Sequence, residues 1–153
     1  MNTLTKMALG LIGHLNATPI RGDAASVLDL PAPQITGGLP LMQVLAQRQS
    51  QRKFDSTPLS MQTLSDLLWS AAGINRQKLG GRTAPSAMNS QEVDVYAALP
   101  GGLYHYAPQS HTLQLVSATD VRRVTGYQDF VDTAPLDLVF VADLGRMQLV
   151  PAA

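Results

Sequence analysis

The sequence predicts a single α+β domain, and three observations support this prediction. Helical periodicity occurs in two segments, residues 41–47 and 61–73, and an alternating apolar pattern begins at Glu92. A strongly apolar strand, Leu136 to Ala142, follows later in the chain. Of the 153 residues, 45% are apolar and 14% are charged, which suits a buried core and differs from the composition of a disordered chain.

The overall composition excludes several classes of protein. The 11 basic and 11 acidic residues cancel, whereas a general nucleic-acid binder needs a basic surplus. Without cysteine the chain has no disulfide, thiolate nucleophile or cysteine-bound metal. No apolar run approaches the roughly 18 residues of a membrane span. Because the three histidines lack metal-ligand spacing, we expect no metal site; they are His14, His105 and His111.

The charges are unevenly distributed along the chain. Residues 48–82 hold six basic and two acidic side chains, a net charge of +4, whereas residues 83–153 hold three basic and seven acidic ones. A cationic block within a neutral chain indicates a local anion site, and a solvated positive surface is the alternative.

The N-terminal residues differ from the rest. Residues 1–25 are interpreted as a signal peptide or a disordered terminus, because Lys6 precedes an apolar stretch and Gly22 and Ala24 suit a signal-peptidase cut. Export to the periplasm is slightly favoured over a frayed amphipathic helix, and without cleavage we expect a cytoplasmic protein. Residues 26–40 contain two Pro/Gly clusters and are predicted to be a linker, with the domain at 41–153.

Two helices are predicted at the start of the domain. The first begins at Pro40 and ends near Gln47. The second follows Ser60, a favourable N-cap residue, and ends at Gly73. Its apolar stripe consists of Met61, Leu64, Leu67, Leu68 and Ala71. Trp69 lies off the centre of this stripe and is predicted to be a core residue, with a subunit interface as the alternative.

Strands dominate the second half. The alternation from Glu92 to Ala97 predicts a half-buried strand, and Leu103 to Tyr106 with Thr112 to Val116 predicts a hairpin. Ala118 to Val124 is predicted to be a short helix. The apolar segment Leu136 to Ala142 is predicted to be a central strand.

Two segments could bind a ligand. In an extended segment, Arg48, Ser50 and Arg52 project to the same side and offer two guanidinium groups and a hydroxyl, the donors that a phosphate prefers. Two surface arginines at a helix end are the alternative. The small and polar residues from Gly80 to Glu92 suit a flat ligand, and an ordinary loop is the alternative.

Four motifs in this order resemble the FMN-dependent nitroreductase family. They are R-x-S-x-R-x-F from Arg48, LSDLLWSAAGINR from Leu64, RTAPSAMNSQEVDVY from Arg82 and GLYHY from Gly102. The RTAPSA and GLYHY segments are most similar to its branch of SagB-type dehydrogenases and peptide-heterocycle oxidases. The resemblance extends over most of the chain, from about residue 30 to residue 147.

The resemblance implies a nitroreductase-like fold, with a central, mostly antiparallel sheet flanked by helices, that binds FMN at the interface of a homodimer. It implies that Arg48, Ser50 and Arg52 hold the FMN phosphate and ribityl chain, with Gln49 as an added contact.

The same resemblance assigns the flavin ring to the second segment. The backbone of Pro85, Ser86 and Ala87 is expected to line the isoalloxazine edge, and Asn89 and Gln91 are expected to hydrogen-bond the flavin. No side chain is implied as a catalytic acid, base or nucleophile, because the flavin carries the hydride chemistry.

The implied activity is NAD(P)H-linked electron transfer through bound flavin to a nitroaromatic, a quinone or a similar acceptor, or oxidation of a bound small-molecule or peptide substrate. Family members continue well beyond the last apolar strand, so we expect a domain that lacks its C-terminal part. The alternative is a catalytically inactive truncated homologue that serves as a flavin-binding, phosphate-binding or dimerisation module.

Overall fold

The computed structural model describes residues 26–55 and 57–147. The N-terminal segment interpreted as a signal peptide or disordered terminus lies outside the described residues, as do Ser56 and residues 148–153. The helices are α1 (Leu41–Gln47), α2 (Met61–Ala72) and α3 (Arg122–Thr125). The strands are β1 (Val27–Asp29), β2 (Ile74–Arg76), β3 (Gly81–Arg82), β4 (Val93–Leu99), β5 (Gly102–Ala107), β6 (Thr112–Ser117) and β7 (Asp137–Ala142).

Five strands form an antiparallel sheet in the order β1-β6-β5-β4-β7, and β2 pairs with β3 in a separate hairpin. The predicted strand after Glu92 and the predicted hairpin are confirmed as β4 and as β5 with β6. The range 26–40, predicted to be a linker, includes β1, which pairs with β6 from Val27 to Asp29.

Helix α2 begins and ends at the residues that the sequence indicates. The hydroxyl of Ser60 accepts a hydrogen bond from the backbone N–H of Thr63 at 3.0 Å. Gly73 donates to the carbonyl of Trp69 at 2.8 Å, with φ −69° instead of a left-handed turn. A glycine is needed there because an added Cβ would clash with the Trp69 ring, which is only partly buried.

The core lies between α2 and one face of the sheet. Alternation places Val95 and Ala97 of β4 on this face, and the register aligns Tyr106 with Leu113 on it. The buried cluster consists of Leu64, Leu68, Ala72, Val95, Ala97, Tyr106 and Leu113. The outer members of the predicted helix stripe, Met61 and Leu67, are exposed.

Two expectations about individual elements need correction. β7 is an edge strand within the described residues, not a central one, because it pairs with β4 alone; Phe140 is 57% exposed. Helix α3 begins at Arg122 instead of Ala118, because the Asp120 carboxylate accepts from the Arg122 backbone N–H at 3.1 Å and starts the turn there. The apolar side chains of α1 are all exposed, Leu41 by 71%.

Candidate functional site

The loop from Gly80 to Glu92, called the 80–92 loop below, is organised around one carboxylate. Ser86 and Ser90 each donate a hydroxyl hydrogen bond to Glu92 Oε2 at 2.7 Å. Ser86 Oγ also accepts from the backbone N–H of Gln91 at 2.7 Å. The Gln91 amide donates to the carbonyl of Gly80 at 2.8 Å, which joins the two ends of the loop. The side chains of Ser86 and Gln91 therefore support the loop's own conformation.

This loop holds three residues with side chains in the left-handed region. Met88, Asn89 and Gln91 have φ values of 53°, 56° and 50°. Such a conformation costs about 1–2 kcal/mol per residue for most side chains, less for asparagine, and persists only where the surroundings fix it. The bonds around Glu92 fix it here, so the loop is held in one unusual backbone shape.

Glu92 is ionised at neutral pH. Hydrogen bonds from the Ser86 hydroxyl, from its own backbone N–H and from the Ser90 hydroxyl lower the pKa of Glu92 to about 2. A carboxylate accepts hydrogen bonds more strongly than a carboxylic acid, so the charged form stabilises the loop.

Arg146 connects the 80–92 loop to the end of the sheet. Its Nη1 donates to the carbonyl of Gln91 at 2.7 Å and its Nε donates to Asp143 Oδ2 at 2.9 Å. Its Nη2 pairs with Asp94, and the bond to Asp94 raises the pKa of Arg146. The backbone N–H of Asp143 donates to the carbonyl of Glu92 at 2.7 Å. The loop is therefore attached to both β4 and β7.

Two cavities flank Ala84, Pro85 and Ser86. The first, of about 230 Å³, lies on the α2 side of the sheet. It is also lined by Ala71, Ala72, Arg82, Gln91, Glu92, Val93, Val95 and Phe140. The second, of about 540 Å³, is also lined by Arg76, Leu79, Gly81 and Asn89. Ligand pockets commonly measure about 300–1,000 Å³, so of the two cavities beside this segment the second has ligand size.

Arg82 brings a partly buried cation to the first cavity. Its Nη1 donates to the carbonyl of Val93 at 2.8 Å, while its Nε is buried and has no hydrogen-bond partner among the described residues. Burial lowers the pKa of Arg82, and Asp94 acts in the opposite direction. An unsatisfied buried donor costs about 1–3 kcal/mol, a cost that an acceptor atom on a ligand would remove.

The predicted phosphate ligands lie in an exposed, irregular segment directly after α1. Arg48, Gln49, Ser50 and Arg52 are all exposed, as anion binding requires. The guanidinium carbon of Arg52 lies 5.9 Å from the centre of the Phe130 ring. The described contacts join none of these four side chains to one another, so their convergence on a phosphate stays a prediction.

The described contacts link the two groups of predicted ligands to residues on opposite sides of β7 in the chain. Glu92, which closes the 80–92 loop, accepts a hydrogen bond from Asp143, directly after the last residue of this strand. Phe130, the ring that Arg52 contacts, lies in the connection that leads into its first residue. Six strand residues at about 3.3 Å each place roughly 20 Å between the two ends. The described contacts therefore do not bring both groups together within one chain.

A second polar cluster is structural. Ser65 donates to the carbonyl of Pro31 at 2.6 Å and lies 2.7 Å from His111 Nε2, while the Tyr106 hydroxyl lies 2.8 Å from His111 Nδ1. Ser65 is fully buried, and burial raises the pKa of Tyr106 to about 12. No solute reaches the Ser65 hydroxyl, so the cluster links the Pro31 segment, α2 and the hairpin.

The described ranges contain no group of three histidines or carboxylates that could hold a metal ion. None of the helices in the described part of the chain is long and apolar enough to cross a membrane.

A profile of the nitroreductase family matches residues 45–153, which is most of the chain and includes both predicted ligand segments. The chain belongs to the nitroreductase family. The family resemblance of the four motifs is thereby confirmed, and so is the expectation of a nitroreductase-like α+β fold with an antiparallel sheet.

Two nitroreductase relatives show how far the similarity extends. A crystal structure from Ralstonia eutropha JMP134, provisionally named a nitroreductase, is 55% identical and superposes with a TM-score of 0.77. The match covers 90% of this chain and 65% of that one. A protein of Methanocaldococcus jannaschii with the same provisional name is 28% identical over 116 residues, 69% of this chain and 58% of that protein. The chain thus spans less than two thirds of either relative.

Three charged residues at the 80–92 loop are not among the ligands that the sequence predicts. In the sequence, Arg82 is only the first residue of a motif, and Glu92 only the start of a strand. Arg146 received no role, although it binds the loop. A signal was present for the first two, because charged residues that bracket an uncharged loop often anchor its ends. Arg146 lies 55 positions from Gln91, and no local pattern indicates that contact.

Proposed function

We propose that this chain belongs to an FMN-dependent oxidoreductase in which two protomers build each flavin site. The observation that carries the proposal is the 80–92 loop, held in an unusual backbone shape between two cavities in a chain of the nitroreductase family. A loop fixed before the ligand arrives loses little conformational entropy on binding, which favours affinity.

The residues present fit FMN. The unpartnered Nε of Arg82 beside the first cavity offers an N–H donor that suits an acceptor atom of the flavin ring, a carbonyl oxygen or a ring nitrogen. The backbone of Pro85, Ser86 and Ala87 lies next to the cavities. Asn89 lines the second cavity and retains the donors of its amide, whereas the amide nitrogen of Gln91 already bonds within the loop. We therefore assign direct flavin contact to Asn89 and a positioning role to the nitrogen of Gln91.

Arg48 and Arg52, with Ser50 between them, suit the phosphate of FMN. A dianion gains most from guanidinium donors that reach it in pairs, and an exposed segment lets the phosphate enter without displacing other contacts. Gln49 supplies a further amide beside them. Bound FMN would supply hydride and electron transfer, while these residues bind and orient it.

The separation of the two ligand groups supports a homodimer. Since roughly 20 Å of β7 separates their ends of the sheet, one protomer would supply the phosphate ligands and its partner the 80–92 loop. The exposed apolar side chains of α1, which directly precede Arg48, offer a surface to bury in such a contact. Symmetric pairing would give two equivalent sites in each dimer.

NAD(P)H is the proposed reductant of the flavin. The proposed substrate of the second half-reaction is a nitroaromatic, a quinone, or a bound small molecule or peptide. These assignments, and the SagB-type branch, rest on the RTAPSA and GLYHY motifs and on the family. Residues 41–153 are proposed as the catalytic domain, and export through residues 1–24 stays a proposal.

The test is to purify the full chain, add FMN and measure flavin per protomer together with NADH and NADPH oxidation in the presence of a nitroaromatic acceptor. The proposal expects a yellow protein with about one FMN per protomer and acceptor-dependent oxidation. A colourless protein that takes up no added FMN would contradict it. A protein that holds FMN without oxidising either nucleotide would instead support the inactive binding module.

A further inference from the structure

The second cavity lies between the β2–β3 hairpin and the 80–92 loop, and the cation in its lining is Arg76. Between Asp66 and Glu92 the chain carries two further basic side chains, Lys78 and Arg82. Arg82 lines the first cavity, and Lys78 lines neither. The Glu92 carboxylate accepts a hydrogen bond from Ser86, which also lines the second cavity. A ligand in the second cavity therefore meets one guanidinium directly.

The hairpin holds the Arg76 guanidinium in one position. Its Nη2 donates to the carbonyl of Arg82 at 2.9 Å. The guanidinium lies close to Gly81, where an added Cβ would stand 2.8 Å from Nη2 and 2.9 Å from Cζ. A side chain at position 81 would therefore displace the guanidinium from this place. An arginine has five N–H donors, and one bond to the hairpin leaves the others for a ligand.

We propose that Arg76 is a specificity residue that binds a carboxylate or phosphate group of the substrate in the second cavity. The inference rests on the proposed flavin function, since the cavity shares Ala84, Pro85 and Ser86 with the proposed flavin edge. The second cavity would then hold the flavin ring on its Asn89 side and the anion of the substrate on its Arg76 side, so that the substrate lies next to the ring that reacts with it. The anion belongs either to an acceptor carboxylate or to the 2′-phosphate of NADPH, which NADH lacks.

Geometry favours a planar oxyanion over a neutral group. A held guanidinium presents parallel N–H donors that match two oxygens of a carboxylate or phosphate. The neutral lining of the same cavity, Leu79, Ala84 and Pro85, suits an apolar ring attached to that anion. An aromatic carboxylate combines both features, which makes 4-nitrobenzoate a suitable probe and 4-nitrobenzyl alcohol its uncharged counterpart.

The test compares Arg76→Gln with two controls. Lys78→Gln removes a charge from the same hairpin without touching the cavity, and Arg76→Lys retains the charge.

For the FMN-loaded protein, we expect Arg76→Gln to raise the KM for 4-nitrobenzoate about tenfold, the effect of losing one charge-assisted hydrogen bond. In the same variant, the kcat and the KM for 4-nitrobenzyl alcohol should change less than about twofold. In Lys78→Gln, the kcat and the KM for both acceptors should also change less than about twofold. Arg76→Lys should recover most of the lost affinity. A parallel comparison of NADPH with NADH identifies a nucleotide phosphate as the bound anion if the tenfold effect falls there.

Equal effects of Arg76→Gln on charged and neutral acceptors and on both nucleotides would overturn the inference, as would an equal effect of Lys78→Gln. Loss of FMN from Arg76→Gln alone would also overturn it and assign Arg76 to the cofactor. Calorimetric titration of 4-nitrobenzoate into each variant gives a readout independent of turnover. If the wild-type chain takes up no FMN but binds 4-nitrobenzoate through Arg76, the flavin function fails and the anion site stands. If neither the wild-type chain nor any variant binds 4-nitrobenzoate, the anion site itself is overturned.

Discussion

Replacing Arg52 with alanine should weaken FMN binding far more than it destabilises the fold. The Arg52 side chain is exposed, and its described contact is the face of the Phe130 ring, 5.9 Å away. An exposed cation–π contact contributes about 0.5–1 kcal/mol, so the free energy of unfolding should fall by no more than about 1 kcal/mol. A charge-assisted hydrogen bond to phosphate contributes about 1.5–3 kcal/mol. The dissociation constant for FMN should therefore rise roughly 10- to 100-fold.

The assay is titration of FMN with the full chain, followed by quenching of flavin fluorescence, alongside urea unfolding of the same samples. Lys53→Ala is the matched control, because this neighbouring exposed cation lies outside the Arg48-Ser50-Arg52 alternation. Arg48→Ala should behave as Arg52→Ala does. An unchanged dissociation constant for Arg52→Ala, or an equal loss for Lys53→Ala, would remove Arg52 from the phosphate site.

Three further predictions concern the scaffold. Leu68 is fully buried, so Leu68→Ala should lower the free energy of unfolding by about 2–5 kcal/mol in urea titrations. Leu67→Ala, on the exposed side of α2, should lower the free energy of unfolding by less than about 1 kcal/mol. A loss equal to that of Leu68→Ala would contradict the assignment of Leu68 to the core. Tyr106→Phe leaves His111 Nδ1 without its 2.8 Å partner and should cost about 1–3 kcal/mol; a neutral result would show that the pair contributes no stability. The pKa of Glu92 is lowered from 4.5 to about 2, so its contribution is complete above pH 4.5 and is lost as the pH falls through 2. Glu92→Gln should therefore reduce the acid dependence of the Tm between pH 5 and pH 2, and an unchanged slope would rule out this carboxylate as its source.

Elements with a complete local pattern were predictable from the sequence. Helix α2 has an N-cap at Ser60, an apolar stripe and a terminal Gly73, and the structure reproduces each of these boundaries. The hairpin of β5 and β6 follows from alternation on both sides of a short turn. In these elements the residues that decide the structure lie within a few positions of one another.

Features that depend on distant partners could not be predicted in this way. The apolar content of β7 predicts burial on both faces, yet pairing with β4 alone leaves Phe140 exposed. The side chain of Gln91 looks like a flavin ligand in the sequence, but the carbonyl of Gly80, eleven positions away, takes its amide hydrogen bond. Arg146 reaches across 55 positions to hold the same loop. Nothing in the local sequence indicates these contacts.

The most direct test of a flavin site shared between two protomers is complementation between two defective variants. Arg48→Ala/Arg52→Ala removes the proposed phosphate ligands, and Ala84→Trp places a bulky ring at a residue that lines both cavities. Each variant alone should retain little FMN. If one protomer supplies the arginines and its partner the loop, random mixing on co-expression gives dimers of which about half are mixed, each with one intact site. Bound FMN should then recover to about a quarter of the wild-type amount, whereas a mixture that holds no more FMN than the separate variants would contradict the shared site.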